Sequence, residues 1–289
     1  MRVPPGLDGG AFFYGKIKSG KTTGMLSISQ KYHDISSLQY KIIDMFGGHR
    51  RENLFWCLPS TKIDYWERVK KTLNIQPGQD GPKQYKVNLL YPLFTSQLPK
   101  QLPSNPPFVK SKVFTIPFKD VIDEDIRLVL NNFPESAGYY WREIQSKAKK
   151  DSGPADLDDL MHKAGATNTY LYKTFAAPLI KELLLQSQNC SYNLDVVDEI
   201  KDRETITVLC LDFCPPLYQL FIMGWFMRKI KDNIDLGKLH TKNILLFREA
   251  SEWFKASDDS IMDDRFKVFR RMLATYIRYG RRGMHLFLD

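Results

Sequence analysis

A three-layer α/β sandwich is the fold this sequence predicts. Three observations carry it: five short apolar runs read as strands, helical patterns separate them, and a Gly/Lys/Ser loop joins the first run to the first helix. Ala11 to Gly15 (AFFYG) reads as a buried strand and Thr22 to Tyr32 as the helix after the loop. A second run, Tyr40 to Ile43, ends in Asp44 and a Gly47-Gly48 turn, which completes strand–loop–helix–strand, the opening of a parallel sheet.

Between Gln76 and Pro117 the prolines concentrate in QPGQDGPK, YPLF and LPKQLPSNPPF. Proline at that density interrupts helices and central strands, so this stretch predicts a long surface connection, with KVFTIP (Lys112 to Pro117) as a candidate short strand. From Asp120 to about Leu185 the pattern is helical, broken by DSGP at 151–154. Residues 60–194 are therefore expected to form a Pro-rich connection and mostly helical insertion, with the α/β core in 1–59 and 195–289. The strand pattern returns at Thr205 to Leu211 (TITVLCL), followed by Leu217 to Ile230, apolar on nearly every face and hence a buried helix. Asn243 to Phe247 (NILLF) is the next strand. Ile261 to Tyr279 is a helix, with Met262, Phe266, Phe269, Leu273, Tyr276 and Ile277 at 3–4 spacing. Met284 to Leu288 (MHLFL) is the last strand.

Composition bounds the class. The chain has 289 residues, 43% hydrophobic and 26% charged, enough to bury a core, which excludes whole-chain disorder. The longest nearly apolar run, Leu217 to Met227, is shorter than the roughly 20 residues a membrane span needs. The first residues, MRVPPGLDGG, hold no apolar signal core, and the four cysteines (Cys57, Cys190, Cys210, Cys214) include no C-x-x-C pair. A reduced, cytoplasmic protein without disulfides or zinc is expected. The net charge of +9 favours polyanionic partners, nucleic acid before acidic membrane surfaces.

Gly15-Lys16-Ile17-Lys18-Ser19-Gly20-Lys21-Thr22 matches G-x-x-x-x-G-K-[ST] without a gap, between an apolar strand and a helix. The glycines let the backbone curl so that successive N–H groups point at a triphosphate. Lys21 reaches the β- and γ-phosphates, the Thr22 hydroxyl helps hold Mg²⁺, and the helix N-terminus adds its positive end. Gly15, Lys18, Ser19, Gly20, Lys21, Thr22 and Thr23 form the expected ATP-binding set, and the fold class narrows to a P-loop NTPase. Lys16 touches phosphate or merely flanks it.

Hydrolysis also needs a second strand that brings an acid to the metal and a base to the water. NILLF followed by Arg248-Glu249-Ala250 is the best match. The loop, KIIDMFGG, ITVLCLDFCPPLYQLF, LLFREA and YIRYGRRGMHLFLD occur in the order of the FtsK/HerA superfamily of DNA-pumping ATPases, which this chain resembles over residues 11–56 and about 195–289. The resemblance implies a RecA-like fold of the additional-strand, catalytic-glutamate (ASCE) class, with Glu249 as the base. Arg248 departs from the family's pattern, since it occupies the place of the metal-associated aspartate. The metal is then left to Thr22, water and Asp212. The family's sensor residue is expected just past Asp289, with closing strands to follow, so the chain reads as a fragment or truncated product. A homo-hexamer acting on double-stranded DNA is implied, working with other components of a conjugation, packaging or secretion machine, at the membrane through such partners if there at all.

Seven basic residues and no acid lie between Arg265 and Gly283, with Lys267, Arg271 and Arg278 on one helical face. They serve as an arginine finger toward a neighbouring subunit, as contacts to DNA phosphates, or as a solvated face. Position within the family makes Arg281 the finger, with Arg278 and Arg282 behind it. Asp44 faces the nucleotide or caps the strand turn. The five histidines lack metal spacing, and His285 reads as a core-strand residue. The tryptophans read as core or interface residues, with base stacking by Trp56 or Trp66 as the alternative. Three other functions stay open: a degenerate ATP-binding structural subunit, which Arg248 favours; a secretion or pilus-assembly ATPase acting on protein; and a small-molecule kinase, disfavoured because no lid is apparent.

Overall fold

The computed structural model describes residues 10–14, 21–34, 40–47, 85–93, 109–117, 120–128, 142, 146, 192–211, 214, 216–248 and 263–288. Seven strands form one sheet: β1 (Ala11–Phe12), β2 (Lys41–Gly47), β3 (Lys86–Pro92), β4 (Val109–Phe114), β5 (Thr205–Cys210), β6 (Asn243–Phe247) and β7 (Met284–Leu288), in the spatial order β1-β7-β6-β2-β5-β3-β4. Every neighbouring pair is parallel. The described helices are α1 (Lys21–Asp34), α2 (Asp123–Arg127), α3 (Val196–Ile200), α4 (Pro216–Asp235) and α5 (Asp263–Ile277), and a 3₁₀ turn over Gly280–Arg282 leads into β7.

The central strands are apolar runs because they are covered on both sides. Every residue of β5, β6 and β7 is buried. Side-chain alternation sends Ile42, Val208, Leu246 and Phe287 to one face, where they meet Met25, Leu26 and Tyr32 of α1. Ile43, Leu209, Leu245 and Leu286 go to the other, against Ile126 of α2, Ile200 of α3, Phe221 and Trp225 of α4 and Leu273 of α5. That is the expected three-layer α/β arrangement.

The strands predicted at 205–211, 243–247 and 284–288 lie where expected, the first one residue shorter. α4 runs five residues beyond its predicted end. Pro216 opens it, at the position where a missing N–H is harmless, and Gly237, at φ 66°, closes it. In α5 the buried stripe is Phe269, Met272, Leu273 and Tyr276; Ile277, expected inside, is 43% exposed because the helix ends there. Trp225 and His285 are core residues, as predicted. Among the described residues no helix is long and apolar enough to cross a membrane.

The segment 60–194 differs from the expected connection and helical insertion where it is described. β3 and β4 come from it and extend the same sheet beyond β5. The proline count hid β3: Pro92 is its last residue, opposite Phe114, and the ladder resumes at Leu93, whose N–H donates to the Phe114 carbonyl at 2.7 Å. β4 covers 109–114 rather than 112–117. It is an edge strand, with exposed Lys110 and Lys112 that discourage pairing with other chains. α2 is docked by a buried cluster: Arg228 of α4 donates from Nε to Asp125 Oδ1 at 3.0 Å and from a terminal nitrogen to Oδ2 at 2.5 Å, and reaches Asp232 at 3.1 Å. Burial pushes the Asp125 carboxyl up, while Arg228 pulls it back down.

Candidate functional site

Parallel strands place all their carboxyl ends on one edge of the sheet, the edge where α/β folds gather ligand-binding loops. β1 runs to that edge and stops at Phe12, with Phe13 N–H donating to the Leu288 carbonyl at 2.7 Å. Gly10 permits this pairing. A Cβ there would stand 2.3 Å from the Leu286 carbonyl oxygen, a backbone atom that cannot step aside. Residues 15–20 of the Gly/Lys loop lie outside the described residues. Beyond them α1 begins at Lys21, so Lys21 and Thr22, both half-buried, occupy its first turn. No acidic side chain sits in that turn to oppose an incoming anion.

β7 lies beside β1, and β6 beside β7. The strand leading into the Gly/Lys loop and the strand leading into Arg248-Glu249 are thus two inter-strand steps apart, about 10 Å, with one strand between them. Glu249 and Asp212 lie outside the described residues, as do the side chains of Thr23 and Arg281. β5, which precedes Asp212, is four steps from β1, about 19 Å, so a metal shared by Thr22 and Asp212 has that span to bridge. The turn after β5 is held by the buried Gln219, whose Nε2 donates to the carbonyls of Leu211 and Cys214 at 3.0 and 2.9 Å.

Arg248 follows β6 directly, and strand alternation turns it, like Leu246, toward the face that α1 covers. Asp44 shares that face with Ile42. It is neither a strand cap nor a turn residue: β2 continues to Gly47, and Asp44 pairs in register with Leu246. The two side chains meet in a bidentate ion pair, one terminal nitrogen to Oδ2 at 3.0 Å and Nε to Oδ1 at 3.3 Å, with exposures of 6% for Arg248 and 0% for Asp44. Sequence reading singled out each residue without linking them. Residues 204 positions apart become partners only when β2 and β6 lie side by side.

Mg²⁺ asks for hard oxygen donors, usually one or two carboxylates. Thr22 offers a hydroxyl, but the acid that β2 brings to this face is committed to Arg248, and the residue in the aspartate's place is itself a cation. Among the described residues no cluster of three or more His, Cys, Asp or Glu could hold a metal. The described donor set does not fit a tightly held divalent ion.

The basic helix keeps its choices. Lys267, Arg271 and Arg278 are exposed. Arg282 is engaged within the chain, 3.0 Å from Asp235 and stacked over the Tyr279 ring. A cleft of about 410 Å³ lined by Pro117, Asp120, Asn193, Lys229 and Lys238 contains none of the sequence-predicted site residues. Lys41, unremarked in the sequence, is fully buried on β2 and donates to the carbonyls of Asp202, at 2.9 Å, and Thr205. Burial lowers its pKa to about 8. The chain matches no protein-family model and no curated protein. The structure shows a seven-strand, all-parallel α/β sheet flanked by helices.

Proposed function

We propose that this chain is an ATP-hydrolysing P-loop motor domain of FtsK/HerA type, hexameric and acting on double-stranded DNA. One observation carries the reading: β7 lies between the strand that enters the Gly/Lys loop and the strand that ends in Arg248-Glu249, while α1 begins at Lys21. An inserted strand between those two is the feature that gives the additional-strand ATPases their name. In this reading the loop amides, Lys21 and the N-terminus of α1 hold the triphosphate, and Glu249 polarises the attacking water. An arginine from the next subunit, Arg281 foremost, completes the charge balance in the transition state. The exposed cations of α5 and the net charge of +9 support a polyanionic cargo.

The test is ATP turnover by the full chain with and without double-stranded DNA, beside Lys21→Ala. Turnover raised by DNA and abolished by Lys21→Ala is expected. A protein cargo, as in a secretion or pilus-assembly motor, would leave turnover indifferent to DNA. The buried Arg248–Asp44 pair favours one second reading, a nucleotide-gated structural subunit. That subunit would bind ATP through Lys21 and show no turnover under either condition.

A further inference from the structure

We infer that ATP binds this site without help from a divalent cation, because the Arg248–Asp44 pair already balances the charge that a metal and its carboxylate would balance. The inference rests on the nucleotide-site reading above. Arg248 stands at the end of β6 and Asp44 on neighbouring β2, both directed to the face under α1, the helix whose first turn carries Lys21 and Thr22. A lone carboxylate at that edge would repel metal-free triphosphate, and a cation would be needed to offset the two. Here the carboxylate is closed by a bidentate guanidinium, with both groups almost fully out of water, so the pair is neutral and is not screened away by salt. The positive contributions that remain, Lys21 and the N-terminus of α1, act on the phosphates directly. Magnesium therefore adds little to ground-state binding, whatever it adds to turnover.

Equilibrium binding of a fluorescent ATP analogue, read by anisotropy, tests this in excess EDTA and in excess MgCl₂. The dissociation constants are expected to agree within about twofold, since the pair carries no net charge. Lys21→Ala is expected to weaken binding in both buffers. The double variant Asp44→Asn with Arg248→Asp returns a lone carboxylate to the end of β6, and EDTA is then expected to weaken binding by about tenfold or more. Wild-type binding that appears only with magnesium overturns the inference and leaves the nucleotide site standing. Absence of binding in both buffers overturns the inference and the nucleotide-site reading together. The wild-type comparison decides the matter even if the double variant does not fold.

Discussion

Replacing Arg248 by methionine keeps most of the side-chain volume and removes the charge. Asp44 is then left at 0% exposure without its bidentate partner. Breaking one half of a buried ion pair costs about 3–5 kcal/mol, because the remaining charge keeps its desolvation penalty and loses its attraction. Asp44→Leu strands the guanidinium and should cost a similar amount. The double variant Asp44→Leu/Arg248→Met removes both charges, and replacing a buried pair by apolar groups is commonly neutral or stabilising. The cycle is therefore strongly non-additive: two destabilised single variants, and a double variant within about 1 kcal/mol of the parent. Urea unfolding followed by far-UV circular dichroism measures it, with a constant m-value as the check that the unfolding transition is unchanged. Single variants that each cost under about 0.5 kcal/mol, or a double variant whose loss is the sum of the two, would refute the claim that the pair is desolvated and mutually dependent.

Gly10→Ala should push β1 off β7, because the new Cβ meets the Leu286 carbonyl oxygen at 2.3 Å; a cost of about 1–3 kcal/mol is expected. Hydrogen exchange at Phe13, whose N–H donates to Leu288, should rise in that variant, and unchanged protection there would count against it. Lys41 gives a pH signature. Its folded pKa of about 8 lies below the ordinary 10.5, so between those values the unfolded chain binds more protons and stability rises with pH. Lys41→Met should lose that upward slope, measured as the pH dependence of the urea midpoint from pH 8 to 10. Arg228→Ala leaves Asp125 buried without its main partner and should cost about 3–5 kcal/mol. Limited proteolysis should then cut near α2 first; a variant as stable and as protease-resistant as the parent would show that the pair does not dock α2.

Local pattern determined much of this protein. TITVLC, NILLF and MHLFL are strands because no other element of five or six residues buries every side chain, and a Gly/Lys loop followed by a helix starting at Lys21 is written in the spacing. The apolar length between Leu217 and Ile230 likewise announced a buried helix, since a segment without a polar side has nowhere else to go. Tertiary structure decided the rest. β3 was masked by the prolines around it, and its place in the sheet depends on β5, more than a hundred residues later. Arg248 read alone is a cation in an acid's place, and Asp44 read alone is a strand-end acid. Their pairing follows from the adjacency of β2 and β6, which no local pattern encodes. Periodicity reports whether a side chain faces solvent or core. It carries no information about which distant strand arrives beside it, and a buried charge is made tolerable only by the partner that neighbour brings.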